Sequence, residues 1–241
     1  MKNVLVTGIM QGLGLQITRT ILDKGNKVFG VALAMNPELE KLKQEYGDRV
    51  TIIIADLARI DESIDLIFHK AIGYDTPLHG FVNNAAIAYD DIISNLNYDP
   101  LFKMYQVNVF SPFMLTKHVI RNMLLHNVHG SIVHISSVSV HTGYKGLAMY
   151  ASTKGALEAF SKTTAREWGE RGIRSNCLVA GFMETGMSAT LSPNQKDRIY
   201  KRTSLKKPTE LTSVANMVAF LISDESLSVT GSNVYVDAGT I

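Results

Sequence analysis

Three residue types placed close along the chain could together work on a carbonyl or an alcohol: Ser136-Ser137, then Tyr150, then Lys154. Tyr150 and Lys154 stand four apart in Tyr150-Ala151-Ser152-Thr153-Lys154, and on a helix residues so spaced share a face. A phenol with a pKa near about 10 carries protons poorly at neutral pH, but a neighbouring ammonium favours the phenolate and lowers that pKa. A hydroxyl such as Ser137 could hold a carbonyl oxygen beside the phenol, a donor aimed at developing alkoxide. Alone, the tyrosine–lysine pair carries little weight. Composition yields about 0.6 such pairs by chance in a chain like this, and an amphipathic helix with a solvated lysine reads the same.

A second constellation gives that pair a context. Thr7-Gly8-Ile9-Met10-Gln11-Gly12-Leu13-Gly14 follows an apolar run and precedes a helical period. Gly8 permits a sharp turn, Gly12 lets backbone approach a pyrophosphate, and Gly14 lets helix pack close to strand. The helix start then offers free N–H groups and a positive dipole to phosphates. The alternative is a tight turn and nothing more, but chance produces this glycine pattern only about 0.007 times here. A dinucleotide site is expected, and an oxidised nicotinamide beside Tyr150 would favour phenolate further.

Seven short apolar runs, at 3–7, 27–33, 50–55, 80–83, 131–136, 175–180 and 233–236, alternate with longer segments of helical period. The runs are mostly apolar rather than alternating, as in parallel strands buried on both faces. Leu13, Ile17 and Ile21 mark one helical stripe, and Ile60, Ile64, Ile67 and Ala71 another, each predicting a helix laid on a sheet. This alternation predicts an α/β fold: a Rossmann-type doubly wound sheet of seven mainly parallel strands with helices on both faces. No repeat or linker divides the chain, so one domain over 1–241 is expected. The polar stretch 183–208, which follows the sixth strand, is a candidate substrate lid, with a basic surface helix as the alternative.

Charge and composition exclude several classes. With 24 Lys and Arg against 22 Asp and Glu, the net charge is +2, too small for bulk attraction to nucleic acid or anionic membrane. Cys177 is the only cysteine, so neither an internal disulfide nor a cysteine-based zinc site is expected, and it reads as a small core residue. The seven histidines include no pair at metal spacing, and no metal is expected. With no apolar stretch of signal-peptide or membrane-span type, the reading is a soluble, cytoplasmic chain.

These motifs together resemble the short-chain dehydrogenase/reductase family over essentially the whole chain. The resemblance rests on the glycine loop, Asp56-Leu57, Asn83-Asn84-Ala85-Ala86, Val107-Asn108, the serine pair with Tyr150 and Lys154, and the ending Val229-Thr230-Gly231-Ser232-Asn233-Val234-Tyr235-Val236-Asp237-Ala238-Gly239. Within the family the chain looks most like the 3-oxoacyl-acyl-carrier-protein reductases. The resemblance implies that Tyr150 is the general acid, Ser137 orients the carbonyl oxygen, and Lys154 binds the nicotinamide ribose while depressing the Tyr150 pKa. It implies that Asn108 holds a water joining Lys154 to solvent. It places Gly8, Gln11, Gly12, Leu13 and Gly14 on the pyrophosphate, Asp56 with Leu57 on the adenine, and Asn83 on the adenosine ribose. Ala85, Gly181 and Thr185 complete the cofactor contacts, and the family's common assembly implies a homotetramer.

The chain departs from the family pattern at Ala86 and Ala180, where glycine and proline are usual, without touching the acid–base group. The second run ends Val31-Ala32-Leu33-Ala34-Met35-Asn36, without the acid that would accept ribose hydroxyls and repel a 2′-phosphate, and without a cation. NADP is therefore favoured over NAD. The leading substrate is a 3-oxoacyl thioester on acyl carrier protein or coenzyme A, with Arg171 and Arg174 as a candidate docking patch and His126 and His129 where relatives carry stronger cations. The alternative is a sugar, polyol or other small secondary alcohol, which would need a polar pocket around His141, Tyr144 and Met187. A non-catalytic nucleotide-binding protein on the same fold would have lost Ser137, Tyr150, Lys154 or Asn108, and all are present.

Overall fold

The computed structural model describes residues 1–186 and 191–241. Seven strands, β1 (Asn3–Thr7), β2 (Lys27–Ala32), β3 (Val50–Ile54), β4 (Gly80–Asn83), β5 (Ser131–Ser137), β6 (Arg174–Ala180) and β7 (Asn233–Val236), form one sheet in the order β3-β2-β1-β4-β5-β6-β7. Every pairing is parallel, from Asn3 opposite Lys27 to Ala180 opposite Val236. Strand order reverses between β1 and β4, and in such a sheet the crevice opens outside the carboxyl ends of those strands. The sequence-based strands are found within one residue at each end. Leu33 falls just outside β2, whose pairing with β3 ends at Ala32, and its side chain is exposed.

Alternation along each strand supplies both faces of the sheet. Val4 and Val6 join one core with Ile17 and Ile21 of α1 (Gly12–Asp23) and Val214 and Val218 of α9 (Leu211–Ile222). Leu5 points the opposite way, into a core with Ile67 and with Leu115 and Val119 of α5 (Ser111–Leu125). The helix α3 (Ile60–Ile64) continues as a wider π-helix over Asp65–Ile72. That widening rotates the buried face by about one residue, so Ile67, Phe68 and Ile72 are buried and Ala71 only partly so. The remaining helices are α2 (Pro37–Tyr46), α4 (Tyr98–Tyr105), α6 (Ser139–Thr142), α7 (Ala148–Trp168) and α8 (Pro193–Tyr200). Among the described residues no helix is long and apolar enough to cross a membrane.

Helix α7 lies against β5 and β6 beside α5, with Phe160 stacked on Phe113 at 3.9 Å. Its inner face buries Met149, Thr153, Leu157 and Ser161, and also Lys154 and Glu158. The Glu158 carboxylate accepts from Ser136 Oγ at 2.5 Å and Asn233 Nδ2 at 2.7 Å, with His141 Nε2 at 3.1 Å. A buried carboxylate is tolerated only when its lone pairs are so occupied. Glu158 thereby clamps the end of β5, the short helix α6 and the start of β7 to the helix that carries Tyr150.

Candidate active site

A cleft of about 820 Å³ at the carboxyl end of the sheet is lined by both constellations read from the sequence. At one end the chain leaves β1 through Gly8 and Gly12, whose φ values of +73° and +55° are left-handed. Gly8 and Ile9 donate N–H bonds to the Val31 carbonyl at 2.9 and 3.1 Å, pinning the loop to β2. Helix α1 then opens at Gln11 with no side-chain cap and no acid in its first turn. Its first N–H groups, at Gly12, Leu13 and Gly14, are given no side-chain cap by Gln11 and stand on the cleft wall at the positive end of the helix dipole. A dinucleotide pyrophosphate fits this end by the chemistry of its donors.

The glycine loop is stitched to the neighbouring strand through Thr7 of its own motif and Asn84, the second amide of Asn83-Asn84-Ala85-Ala86. Thr7 Oγ1 accepts from the N–H groups of Asn84 and Ala85, each at 3.1 Å, and Asn84 Nδ2 donates to the carbonyls of Thr7 and Gly8. Both motifs stand at the ends of β1 and β4, and the pairing of those strands turns them into a contact.

Around this end lie Asp56, Leu57, Ala85 and Thr185, all on the cleft wall, while Gly181, also on the wall, follows β6 beside Ser137. Asp56 Oδ1 accepts from the Ala58 N–H at 2.9 Å, so it closes its own turn while facing the cleft. A methyl group at Gly181 would lie 2.3 Å from Thr209 Oγ1 and 2.6 Å from Asp237 Cα, so only glycine lets the chain leave β6 here. Thr185 sits across from Gly12, 3.5 Å from where a Cβ there would stand. One expectation is corrected. Asn83 is only 2% exposed, and its side chain turns to His134 rather than the cleft, Nδ2 lying 3.3 Å from Nδ1. Side chains alternate along a strand, so Asn83 faces the core while Asn84 reaches the cleft.

At the other end Ser137 closes β5 and Tyr150 stands in the first turn of α7, both half-buried on the cleft wall. Lys154 lies beneath them, its Nζ donating to the Ile135 carbonyl at 2.8 Å and standing 5.7 Å from the Tyr150 ring centre. Burial lowers its pKa to about 8. His134, fully buried, is held neutral, its pKa pushed down to about 3 by burial and then by the Lys154 charge. The expected depression of the Tyr150 pKa is not produced by these side chains. Burial raises it, and the Asp90 carboxylate on the same wall raises it further.

Asn108 sits in a π-helical turn, Gln106–Phe110, joining α4 to α5. Its Nδ2 donates to the Ile87 carbonyl and to Thr153 Oγ1, and its Oδ1 accepts from the Ile87 N–H. The amide that was expected to hold a relay water is committed to fixing the loop after β4 against α7. Of the polar residues expected around the substrate, Tyr144 lines the cleft, His141 is turned to Glu158, and Met187 lies outside the described residues. Arg174 is not a docking residue. It is 7% exposed and donates to the carbonyls of Val229 and Ser223. Cys177 is buried, which pushes its thiol up to about 12 and keeps it protonated.

A family model described as Enoyl-(Acyl carrier protein) reductase matches residues 8–240. The 3-oxoacyl-(acyl-carrier-protein) reductase FabG of Escherichia coli (strain K12) is 33% identical over 240 residues, covering 99% of this chain and 96% of the relative. The chain belongs to the short-chain dehydrogenase/reductase family. Carbonyl reductase (NADPH) 2 of Sus scrofa is 33% identical over 98% of this chain and 94% of its own, and L-xylulose reductase of Caenorhabditis elegans 31% identical over 99% and 95%. Among solved structures, an actinorhodin polyketide ketoreductase with NADPH superposes with a TM-score of 0.90 at 27% identity, covering 99% of this chain and 97% of that one. The chain is thus an NAD(P)-dependent oxidoreductase of this family.

Proposed function

We propose that this short-chain reductase uses NADPH to reduce a small polar ketone to a secondary alcohol. The observation that carries the reading is one cleft with anion-binding N–H groups at one end and Ser137, Tyr150 and Lys154 at the other. A bound nicotinamide supplies the hydride, and once oxidised its ring carries the positive charge that favours phenolate. Ser137 Oγ donates to the ketone oxygen and holds it beside the phenol. Tyr150 gives its proton to that oxygen as negative charge develops there. Lys154, fixed by the Ile135 carbonyl, keeps two N–H bonds for ribose hydroxyls and a nearby charge to share with the phenol. Asn108 holds the loop between them, and the proton relay to solvent is assigned to this turn.

NADPH is favoured because β2 ends without an acid, and because Asn36 is spent capping α2 and donating to the Met10 carbonyl at 2.9 Å, so no carboxylate repels a 2′-phosphate. A polar substrate is favoured by the cleft lining, which includes Asp90, Lys103, Tyr144, Lys145 and Arg202. The carbonyl and xylulose reductases among its relatives fit that reading. A 3-oxoacyl thioester is the second reading. Ile87, Val138, Leu147, Phe182 and Ile199 give it an apolar wall, and FabG is a relative. The burial of Arg174 removes half of its carrier-docking patch. A homotetramer is proposed with either, since Tyr98, Phe102 and Phe110 leave apolar rings exposed on α4 and the turn after it.

The test follows nicotinamide absorbance with NADPH and NADH separately, against xylulose, other polar ketones and acetoacetyl-coenzyme A. Turnover with NADPH and polar ketones at higher kcat/KM than with the thioester is expected. The reverse order would establish the second reading, and dinucleotide binding without turnover of any ketone would overturn both. Asp90→Asn gives a further expected result. Removing that carboxylate lowers the Tyr150 pKa. In alcohol oxidation, which needs the phenolate, the rising limb of the pH–rate profile should therefore move to lower pH, by less than about one unit. An unmoved limb would mean that Asp90 does not act on the phenol.

A further inference from the structure

The stretch between β6 and α9 is rich in cations, and most of them are spent. Lys196 pairs with Glu184, Lys201 with Asp197 and Lys207 with Glu210, while Lys206 donates to the Lys201 carbonyl. Arg198 and Arg202 have no ion pair among the described residues, and of the two only Arg202 lines the cleft that holds Ser137 and Tyr150. Its guanidinium stands 5.6 Å over the ring of Tyr144, itself on the cleft wall between the serine strand and α7.

The position of Arg202 is built rather than incidental. Its N–H donates to the Ile199 carbonyl at 3.0 Å, closing the turn that ends α8. The next two turns of chain hang on the C-terminal tail, through Ser204 N–H to the Gly239 carbonyl at 2.9 Å and Leu205 N–H to the Ala238 carbonyl at 3.1 Å. That tail is held by the Asp237 carboxylate, which accepts from the N–H groups of Gly239, Thr240 and Ile241. Tyr144 lends the guanidinium an aromatic face at no cost to its five N–H donors, since stacking uses the plane and hydrogen bonding the rim.

From this geometry we infer that Arg202, seated on Tyr144, is the subsite for a carboxylate on the substrate, so that the ketones this enzyme prefers are keto acids. The inference rests on the ketone-reductase reading and names its substrate class. A planar guanidinium fork matches a carboxylate with two parallel hydrogen bonds, and among the described residues no protein carboxylate pairs with it. Asp90, the acid on the same wall, is not within ion-pair distance of it, and its charge acts on Tyr150. A carboxylate at Arg202 would orient the keto group toward Ser137 and Tyr150 and keep the substrate's charge away from Asp90.

Three probes separate the sources of negative charge. Acetoacetate carries a carboxylate, ethyl acetoacetate is its neutral counterpart, and acetoacetyl-coenzyme A carries its anions on a distant arm. With NADPH, native enzyme should favour acetoacetate over the ester by roughly tenfold or more in kcat/KM, the worth of one charge-assisted hydrogen bond. In Arg202→Leu that ratio should collapse towards one, chiefly through a higher KM for the acid. Arg202→Lys should hold an intermediate ratio, and Arg198→Leu, outside the cleft, should keep the native one. If ester and acid are reduced equally well by native enzyme, the inference falls while the reductase reading stands. A loss confined to acetoacetyl-coenzyme A would also overturn it, by assigning Arg202 to the carrier's phosphates. Reduction of none of the three, nor of any other ketone, would be a failure of the reductase reading itself.

Discussion

A Tyr150→Phe variant should bind dinucleotide as the native chain does and reduce ketones about 10³-fold more slowly or worse. The magnitude is that of losing a positioned general acid, about 10²–10⁴-fold. The fold has little reason to notice the change. Among the described residues the Tyr150 hydroxyl makes no hydrogen bond, and its backbone carbonyl, which accepts from Thr153 Oγ1 at 2.7 Å, is untouched. Phenylalanine keeps the ring beside Lys154, so the melting temperature and the dinucleotide Kd should stay near native values while kcat falls. Stopped-flow absorbance for turnover and a fluorescence titration for NADPH read the two separately. Retained turnover with intact binding would remove Tyr150 from the acid role.

The second large effect is expected at Gly14. A Cβ there would lie 2.0 Å from the Gly8 carbonyl oxygen and 2.5 Å from Asn84 Nδ2. Neither neighbour can yield cheaply. Gly8 is tied to β2 through the Val31 carbonyl, and Asn84 is tied to β1 through the carbonyls of Thr7 and Gly8. Gly14→Ala must therefore push α1 away from the strand or break the stitch between the glycine loop and β4. Overpacking of this kind costs about 1–3 kcal/mol, and the strain falls on the N–H groups proposed for the pyrophosphate. NADPH affinity should drop roughly tenfold to a hundredfold at about 1.4 kcal/mol per decade, and the melting temperature should fall by several degrees. Calorimetric titration and a thermal melt measure both. Native affinity in this variant would mean that close packing at Gly14 does not shape the dinucleotide end of the cleft.

Much of this was legible before any coordinates. Apolar runs with no alternation gave parallel strands, because a strand covered on both faces has no side to leave polar. Glycines at the end of the first run marked a turn and a close approach, because no other residue tolerates both. The four-residue spacing of Tyr150 and Lys154 placed them on one face through helical geometry alone. What escaped was set by contacts between distant segments. Asn83 and Asn84 are equivalent in composition, yet strand pairing sends one to His134 and the other to Thr7 and Gly8. Arg174 reads as a surface cation until β6 is seated in the sheet, where its guanidinium satisfies the carbonyls of Ser223 and Val229. His141 follows the serine strand, but it belongs to Glu158 because α7 brings that carboxylate beneath it.

The electrostatics divide in the same way. From residue types, a lysine near a tyrosine should lower the phenol's pKa. In the fold, Lys154 is fully buried and tied to Ile135, and burial together with Asp90 drives the phenol upward. The sequence by itself thus determined the parallel sheet, the glycine loop and the face shared by Tyr150 and Lys154, because these follow from local periodicity and the chemistry of single residues. Only the tertiary structure decided which amide faces the cleft, which arginine is without an ion pair in it among the described residues, and what field the tyrosine sits in. Those depend on desolvation and on partners brought together from far along the chain, and neither has a trace in local spacing.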